Sequence, residues 1–128
     1  MMLRVIKQGQ NQINHLQKIT WPAIIHYAGE DELAFISNDN EWASDSDLHF
    51  CAYSTQDRLI DCSGRLFSLP EKKGDEFIVI MPTEELLSLE EFTELVKKHL
   101  ALSNECCISK IQLTSFLEGM ALIERTVI

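Results

Sequence analysis

The amino-acid sequence predicts an α+β fold. It combines an antiparallel or mixed sheet, at roughly residues 21–81, with two C-terminal helices, at roughly 88–102 and 109–122, that pack on one face of the sheet. Apolar residues alternate in short segments up to Met81, which indicates about five strands. From Ser88 onward they recur at helical spacing. Because the strands come first and the helices follow, the order favours α+β over a doubly wound sheet, in which the two alternate.

The first two strands are predicted to form a hairpin. Pro22 has no N–H to donate and therefore belongs at the start or edge of a strand. The residues from Ala23 to Ala28 then alternate between two faces, and Gly29-Glu30-Asp31 is suited to a turn. A second strand from Glu32 to Ser37 completes the hairpin.

The next segment, Glu41 to Asp47, is acidic and is predicted to form a loop or a short helix. Ser63-Gly64 is suited to a tight hairpin connection if the glycine takes a positive φ. The segment before Pro82 is rich in β-branched and aromatic residues, which favours a central strand. The remaining strands are predicted at Leu48–Tyr53, Arg58–Cys62, Arg65–Leu69 and Glu76–Met81.

Two helices are predicted after residue 87. Ser88 and Glu91 have the spacing of a capping box, in which each side chain satisfies a backbone N–H at the start of a helix. The second helix is predicted to begin near Ser109, and Gly119 within it costs about 1 kcal/mol relative to alanine. The apolar stripes of the two helices consist of Leu89, Phe92, Val96, Leu100, Leu113, Phe116, Leu117 and Met120.

The chain of 128 residues is predicted to hold a single domain over residues 21–128, preceded by a weakly structured arm at residues 1–20. No apolar run approaches the roughly 20 residues that span a bilayer. No secretory signal is recognisable, so we expect a cytoplasmic protein. Its cysteines show no Cys-x-x-Cys spacing and are expected to be free thiols: Cys51, Cys62, Cys106 and Cys107.

Charge is distributed unevenly along the chain, whose net charge is -9. Residues 28–57 contain eight acids and no lysine or arginine. Such a surface repels phosphate backbones, which argues against nucleic-acid binding, and it attracts a basic protein or a cation.

Known catalytic and cofactor motifs are absent from the sequence, so no catalytic residue, cofactor or metal site is predicted. The glycine-rich nucleotide loops and the Gly-x-Ser-x-Gly elbow are missing. The segment that starts at Asp39 does not match a calcium-binding EF-hand loop. Such a loop needs a ligand at its fifth position and a glycine at its sixth, where this chain has Ala43 and Ser44. His49 and Cys51 share a face if they lie on a strand, but without paired Cys-x-x-Cys spacing a half-buried cysteine and an exposed or edge histidine are the better interpretation.

Three short motifs resemble a small bacterial family of domains of unknown function. They are Trp21-Pro22, Leu59-Ile60-Asp61-x-x-Gly64 and Cys106-Cys107-x-x-Lys110 ahead of a helix. The resemblance implies a compact bacterial cytoplasmic domain. It supplies no activity, substrate or catalytic residue.

Trp42 lies within the acidic segment and allows two interpretations. An exposed indole flanked by acids would anchor a basic partner, whereas a buried one would cover the edge of the sheet. The residues predicted to bind a partner are Trp42, Asp39, Glu41, Asp45 and Asp47.

Two functional hypotheses follow. The first is a non-enzymatic protein-interaction module with a basic partner. The alternative is a small-molecule or metal-binding protein whose pocket, between sheet and helices, is lined by His49, Cys51 or His26. Either is compatible with a monomer or with a homodimer formed through a sheet edge.

Overall fold

The computed structural model describes residues 18–50, 52–69, 80–104 and 107–126. In these ranges the strands are β1 (Ala23–His26), β2 (Leu33–Ile36), β3 (Arg58–Asp61), β4 (Arg65–Ser68) and β5 (Met81–Leu86). The helices are α1 (Asp39–Ser44), α2 (Ser46–Phe50), α3 (Leu89–Ala101) and α4 (Phe116–Arg125), and a 3₁₀ helix spans Ile108–Lys110. The predicted α+β class is confirmed.

The strands form one sheet of 5 strands in the order β2-β1-β3-β4-β5, and every neighbouring pair is antiparallel. β1 pairs with both β2 and β3, so Ile24 lies opposite Phe35 on one side and Ile60 on the other. The two hairpins predicted from the sequence, β1–β2 and β3–β4, are confirmed. In the part of the chain that is described, β2 and β5 form the edges of the sheet.

The turn between β3 and β4 is held by Asp61, which is 0% exposed. Its Oδ1 accepts hydrogen bonds from the backbone N–H groups of Ser63 and Arg65, both at 3.0 Å, and from the Ser63 hydroxyl at 2.7 Å. Its Oδ2 accepts one from the N–H of Thr20 at 3.0 Å. Gly64 has a φ of 90°, and an added Cβ would lie 2.9 Å from an aromatic ring of α4. This position of the turn therefore requires glycine, as the sequence predicts.

Both faces of the sheet are covered. One face packs on α3 and α4, where Ile24 and Ile60 of the sheet meet Phe92 and Met120 of the helices. The other face packs on the segment that carries α1 and α2. Its buried apolar residues are Ala23, Ile25, Ile36, Trp42, Tyr53, Leu59, Phe67, Leu69 and Ile80. β1 and β3 thus bury apolar side chains on both faces, and the sheet is the middle layer of the fold.

The capping box at the start of α3 is confirmed. The Ser88 hydroxyl accepts from the N–H of Glu91, and the Glu91 carboxylate accepts from the N–H of Ser88, both at 3.0 Å. The second helix begins later than predicted: Ser109 lies in the 3₁₀ helix, and Ser115 caps α4 instead. Neither α3, with 13 residues, nor any other helix of the described ranges has the length and apolar character needed to cross a membrane.

The strand predicted at Leu48–Tyr53 is wrong, because its first residues belong to α2. Asp45 closes the turn between α1 and α2. Its carbonyl accepts from the N–H of Leu48 at 3.1 Å, and its carboxylate accepts from the N–H of Asp47 at 3.0 Å. These local bonds favour a new helical turn after Asp45, whereas an alternating pattern a few residues long does not distinguish a strand from a helix.

The strand predicted at Glu76–Met81 is tested only at its last two residues. Residues 76–79 lie outside the described ranges, and β5 begins at Met81 and continues to Leu86. Among the described strands, β5 lies at an edge of the sheet and not at its centre. Pro82 lies within it, opposite Phe67. An edge tolerates a proline because one side of the strand needs no ladder donor.

Several other predictions fall on residues outside the described ranges. They concern Cys51, Cys106 and residues 1–17 of the predicted arm, so the division into arm and domain stays a prediction. The end of the arm is attached to the sheet, because the carbonyl of Thr20 accepts from the N–H of Cys62 at 3.1 Å. Cys62 and Cys107 are free thiols, and burial raises the pKa of Cys62.

Candidate functional site

Trp42, the aromatic residue predicted to bind a partner, lies inside the molecule. It is 7% exposed and belongs to the apolar cluster on the α1 side of the sheet. Its ring centroid is 4.5 Å from that of His49, whose Nε2 lies 2.8 Å from the Trp42 carbonyl oxygen. The structure therefore corrects the interpretation of an exposed indole anchor and supports the one in which Trp42 covers the sheet.

The four acids predicted to accompany Trp42 lie on α1, on α2 and between them. Asp39 and Asp47 are exposed, and Glu41 and Asp45 are half-buried. The Glu41 carboxylate accepts from the N–H of Ser37 at 2.6 Å and from its hydroxyl at 2.8 Å. These carboxylates thus support the local fold, and they also keep negative charge concentrated on this side of the sheet.

A cleft that the sequence analysis missed opens on the same side, between the first hairpin and the loop before β3. Its volume is about 540 Å³. A tyrosine and two alanines supply apolar surface, and three carboxylates supply charge. The lining residues are Tyr27, Ala28, Glu30, Glu32, Ala34, Ser54 and Asp57.

Tyr27 is held at the side of the cleft by Tyr53. The two rings are nearly parallel, with an interplanar angle of 3° and a centroid distance of 6.0 Å. Tyr53 is 5% exposed, and its hydroxyl donates to the carbonyl of Leu48 at 2.7 Å. The Tyr27 ring therefore rests on a fixed support. An aromatic ring beside carboxylates provides the two elements that attract an ammonium or guanidinium group.

Asp57 is a buried carboxylate at the base of this cleft, with 5% exposure. It accepts from the N–H groups of Ala28 and Ser54, both at 2.8 Å, and from the Ser54 hydroxyl at 3.1 Å. Burial alone would raise the pKa of Asp57, but these hydrogen bonds, together with nearby His26, outweigh it and lower the pKa. Asp57 is therefore a fixed negative charge at neutral pH.

Glu30 and Glu32 lie at the exposed rim of the cleft. Within the described ranges, neither of them nor Asp57 forms an ion pair, whereas Lys97 and Glu94 of α3 form one at 3.6 Å. Arg58 directly follows Asp57, but its Nη1 donates to two backbone carbonyl oxygens, at 2.6 and 2.9 Å. Among the described side chains, no lysine or arginine forms an ion pair with the carboxylates of the cleft.

The residues named for a small-molecule or metal site do not come together. His49 is buried on the α1 side of the sheet, whereas His26 lines a separate cleft between the sheet and α3. Cys51 lies outside the described ranges. Over the part of the chain that is described, no group of three or more His, Cys, Asp or Glu residues is placed to hold a metal ion.

His99, on α3, is a further buried ionisable group, with 3% exposure. Its Nδ1 accepts from the N–H of Leu33 at 2.9 Å, whereas its Nε2 has no hydrogen-bond partner among the described residues. Burial lowers the pKa of His99, and nearby Glu32 offsets only part of this effect. The histidine is therefore a neutral support for the start of β2, next to the rim of the cleft.

Comparison with known proteins identifies a family and a similar fold. The DUF4144 family model, described as a protein structure with unknown function, matches residues 21–123. A solved NMR structure of a protein from Shewanella amazonensis is 22% identical and has a TM-score of 0.62; the match covers 84% of this chain and 89% of that one. No curated protein matches.

Proposed function

Because the chain belongs to the DUF4144 family, whose function is not established, we propose a function from the cleft itself: the protein is a non-enzymatic module that binds a basic segment of another protein. One observation carries this proposal. A fixed tyrosine and three carboxylates line the same cleft, and no described lysine or arginine forms an ion pair with them.

A lysine or arginine side chain fits the chemistry of the cleft. Its aliphatic part would lie against Tyr27 and Ala34, and its charged end would meet Asp57 and the two rim glutamates. A cation against an aromatic face contributes about 0.5–1 kcal/mol at exposed sites. An exposed ion pair adds about 0–1 kcal/mol. A single lysine or arginine of the partner would therefore bind the cleft weakly, so we expect recognition to require several basic residues in one segment.

The acids of α1 and α2 support a second part of the mechanism. Asp39, Asp45 and Asp47 lie near one another on the α1 side of the sheet and would attract a basic segment before it enters the cleft. Attraction of this kind acts on the association rate and weakens as salt is added.

We also propose that the module acts in the cytoplasm of a bacterium, as a monomer or homodimer, without binding nucleic acid or membranes. Support comes from the free thiols of Cys62 and Cys107 and from the net charge of -9.

The test uses a fluorescently labelled peptide of alternating arginine and serine, with an aspartate–serine peptide of equal length as control. Glu30→Lys with Glu32→Lys changes the rim of the cleft. Glu84→Lys with Glu124→Lys makes the same change in net charge at exposed positions that do not line it. We expect the rim pair to weaken binding of the arginine peptide about tenfold, a difference of about 1.4 kcal/mol. The distant pair should weaken it less than about threefold.

Equal losses of affinity for the arginine peptide in the two double variants would refute binding at the cleft, because net charge alone would then explain the binding. Reversing Asp39 and Asp45 should lower the association rate more than it raises the dissociation rate. Native mass spectrometry distinguishes the alternative function: a retained metal or small-molecule mass would favour a ligand-binding protein.

A further inference from the structure

A second cleft, of about 350 Å³, lies on the opposite face of the sheet, between the strands and the first turns of α3. Its centre is apolar. Ile60 and Leu66 of the sheet line it together with Leu95 of α3, and Ile60 is 1% exposed. The volume is at the lower end of the range of about 300–1,000 Å³ in which proteins bind small molecules.

One end of this cleft carries basic groups. His26 on β1 and Arg58 on β3 are directly opposite each other in the strand register. Their side chains therefore leave the same face of the sheet, with Cβ atoms about 5 Å apart. The two hydrogen bonds from Arg58 Nη1 to backbone carbonyls fix the guanidinium, while its Nε and Nη2 make no hydrogen bond to the described residues. His26, likewise, has no hydrogen-bond partner among them.

The other end carries acidic groups. Glu85 belongs to β5, which lies two strands away from β3, and Glu91 lies in the first turn of α3. Two strand spacings, together with an offset of about two residues along the strands, put the backbones of Arg58 and Glu85 about 12 Å apart. Hydrogen bonds from Ser88 lower the pKa of Glu91, so its carboxylate is charged at neutral pH. Opposite charges are thus separated by an apolar floor.

We propose that this cleft binds a short zwitterion with an apolar body, of the chemical class of a dipeptide with free termini. The carboxylate would bind at Arg58 and His26, and the ammonium group at Glu85 and Glu91. The side chains would lie on Ile60 and its apolar neighbours. An extended dipeptide spans about 7 Å, and the side chains of Arg58 and Glu85 are long enough to bridge the rest of the roughly 12 Å between their backbones. This site is separate from the proposed site for a basic segment, since the two lie on opposite faces of the sheet.

The first test is an NMR titration of the isotope-labelled protein with leucyl-leucine. The controls are the same dipeptide with an acetylated N-terminus and with an amidated C-terminus. We expect saturable shifts at His26, Ile60 and Leu95, and binding at least about tenfold weaker for each capped form. Absence of saturable shifts up to millimolar dipeptide, or equal binding of the capped forms, would overturn the proposal.

Matched variants then test each charged end. Arg58→Gln and Glu85→Gln should each weaken the binding of leucyl-leucine about tenfold. Arg65→Gln and Glu84→Gln carry the same charge changes at positions that do not line the cleft, and they should leave binding unchanged. Glu85 is exposed, and its replacement is therefore not expected to disturb the fold. If the Arg58 variant fails to fold, Glu85→Gln still tests the proposal. Equal losses in the matched controls would contradict the assignment of the two ends.

Discussion

Replacing Gly119 by alanine is expected to destabilise the protein, although alanine is the better helix former. Gly119 is buried in α4, where that helix packs against α3. An added Cβ would lie 2.5 Å from Cε2 of Phe92 and 2.8 Å from Cδ1 of Leu113. Phe92 is 0% exposed, and its ring lies against that of Phe116 with centroids 4.8 Å apart. Moving the ring away from an added Cβ would therefore disturb the packing of Phe92 in the core.

The magnitude follows from two opposing effects. Alanine gains about 1 kcal/mol over glycine in a helix interior. An extra methyl group in a closely packed core costs about 1–3 kcal/mol. The expected net change is a loss of about 1 kcal/mol in the free energy of unfolding, or about 4 °C in Tm for a domain of this size.

Urea unfolding followed by circular dichroism measures the effect. Ala121→Gly is the matched control, because residue 121 is exposed on the same helix. It should lose about 1 kcal/mol from helix propensity alone. In Gly119→Ala with Phe92→Leu, the smaller side chain should relieve part of the steric cost. If Gly119→Ala alone were about 1 kcal/mol more stable than the unchanged protein, which is the full gain in helix propensity, then α3 and α4 would leave room for a side chain at residue 119 and the prediction would be refuted.

Four further predictions can be checked by the same unfolding measurement. Trp42→Ala should cost about 3–5 kcal/mol, because the indole is buried, and a loss below about 1 kcal/mol would contradict its packing on the sheet. Asp61→Ala should cost about 3 kcal/mol, since it removes a buried carboxylate and leaves the partly buried donors around the β3–β4 turn without their acceptor. His99, whose pKa is lowered in the folded state, contributes stability that is complete above about pH 6.5 and declines as the pH falls from there toward its folded pKa. The profile of His99→Gln should be flatter between about pH 7 and pH 5, and an identical decline would refute this role. Ser88→Ala should cost about 1 kcal/mol, whereas Ser109→Ala, which removes no cap, should change little.

The elements that were predictable from the sequence have strong local signals. The capping box of Ser88 and Glu91 defines where α3 begins, and Gly64 defines a turn that only a residue with positive φ can make. In each case the physical cause lies within a few neighbouring residues. The helix from Leu89 to Ala101 and the β3–β4 hairpin were therefore predicted with nearly correct bounds.

The elements that were missed depend on contacts between distant residues. The segment around Leu48 alternates like a strand, but a turn at Asp45 and the packing of His49 against Trp42 make it helical. The acidic cleft depends on a hydrogen bond between Ala28 and Asp57, which are 29 residues apart. The sequence revealed the acids, but their arrangement around Tyr27 required the pairing of β1 with β3.

That strand pair explains why two differently charged clefts lie at the same end of the sheet. Tyr27 directly follows His26, the last residue of β1, and Asp57 directly precedes Arg58, the first residue of β3. Successive side chains of an extended chain point to opposite faces. One face therefore receives a tyrosine and an aspartate, and the other receives a histidine and an arginine. A shift of one residue in register would exchange these sets, so the apolar burial that sets the register also determines the chemistry of each cleft. It follows that Tyr27→Ala should weaken only the binding of a basic peptide, whereas His26→Ala should weaken only the binding of a zwitterion. The two binding proposals can therefore succeed or fail independently.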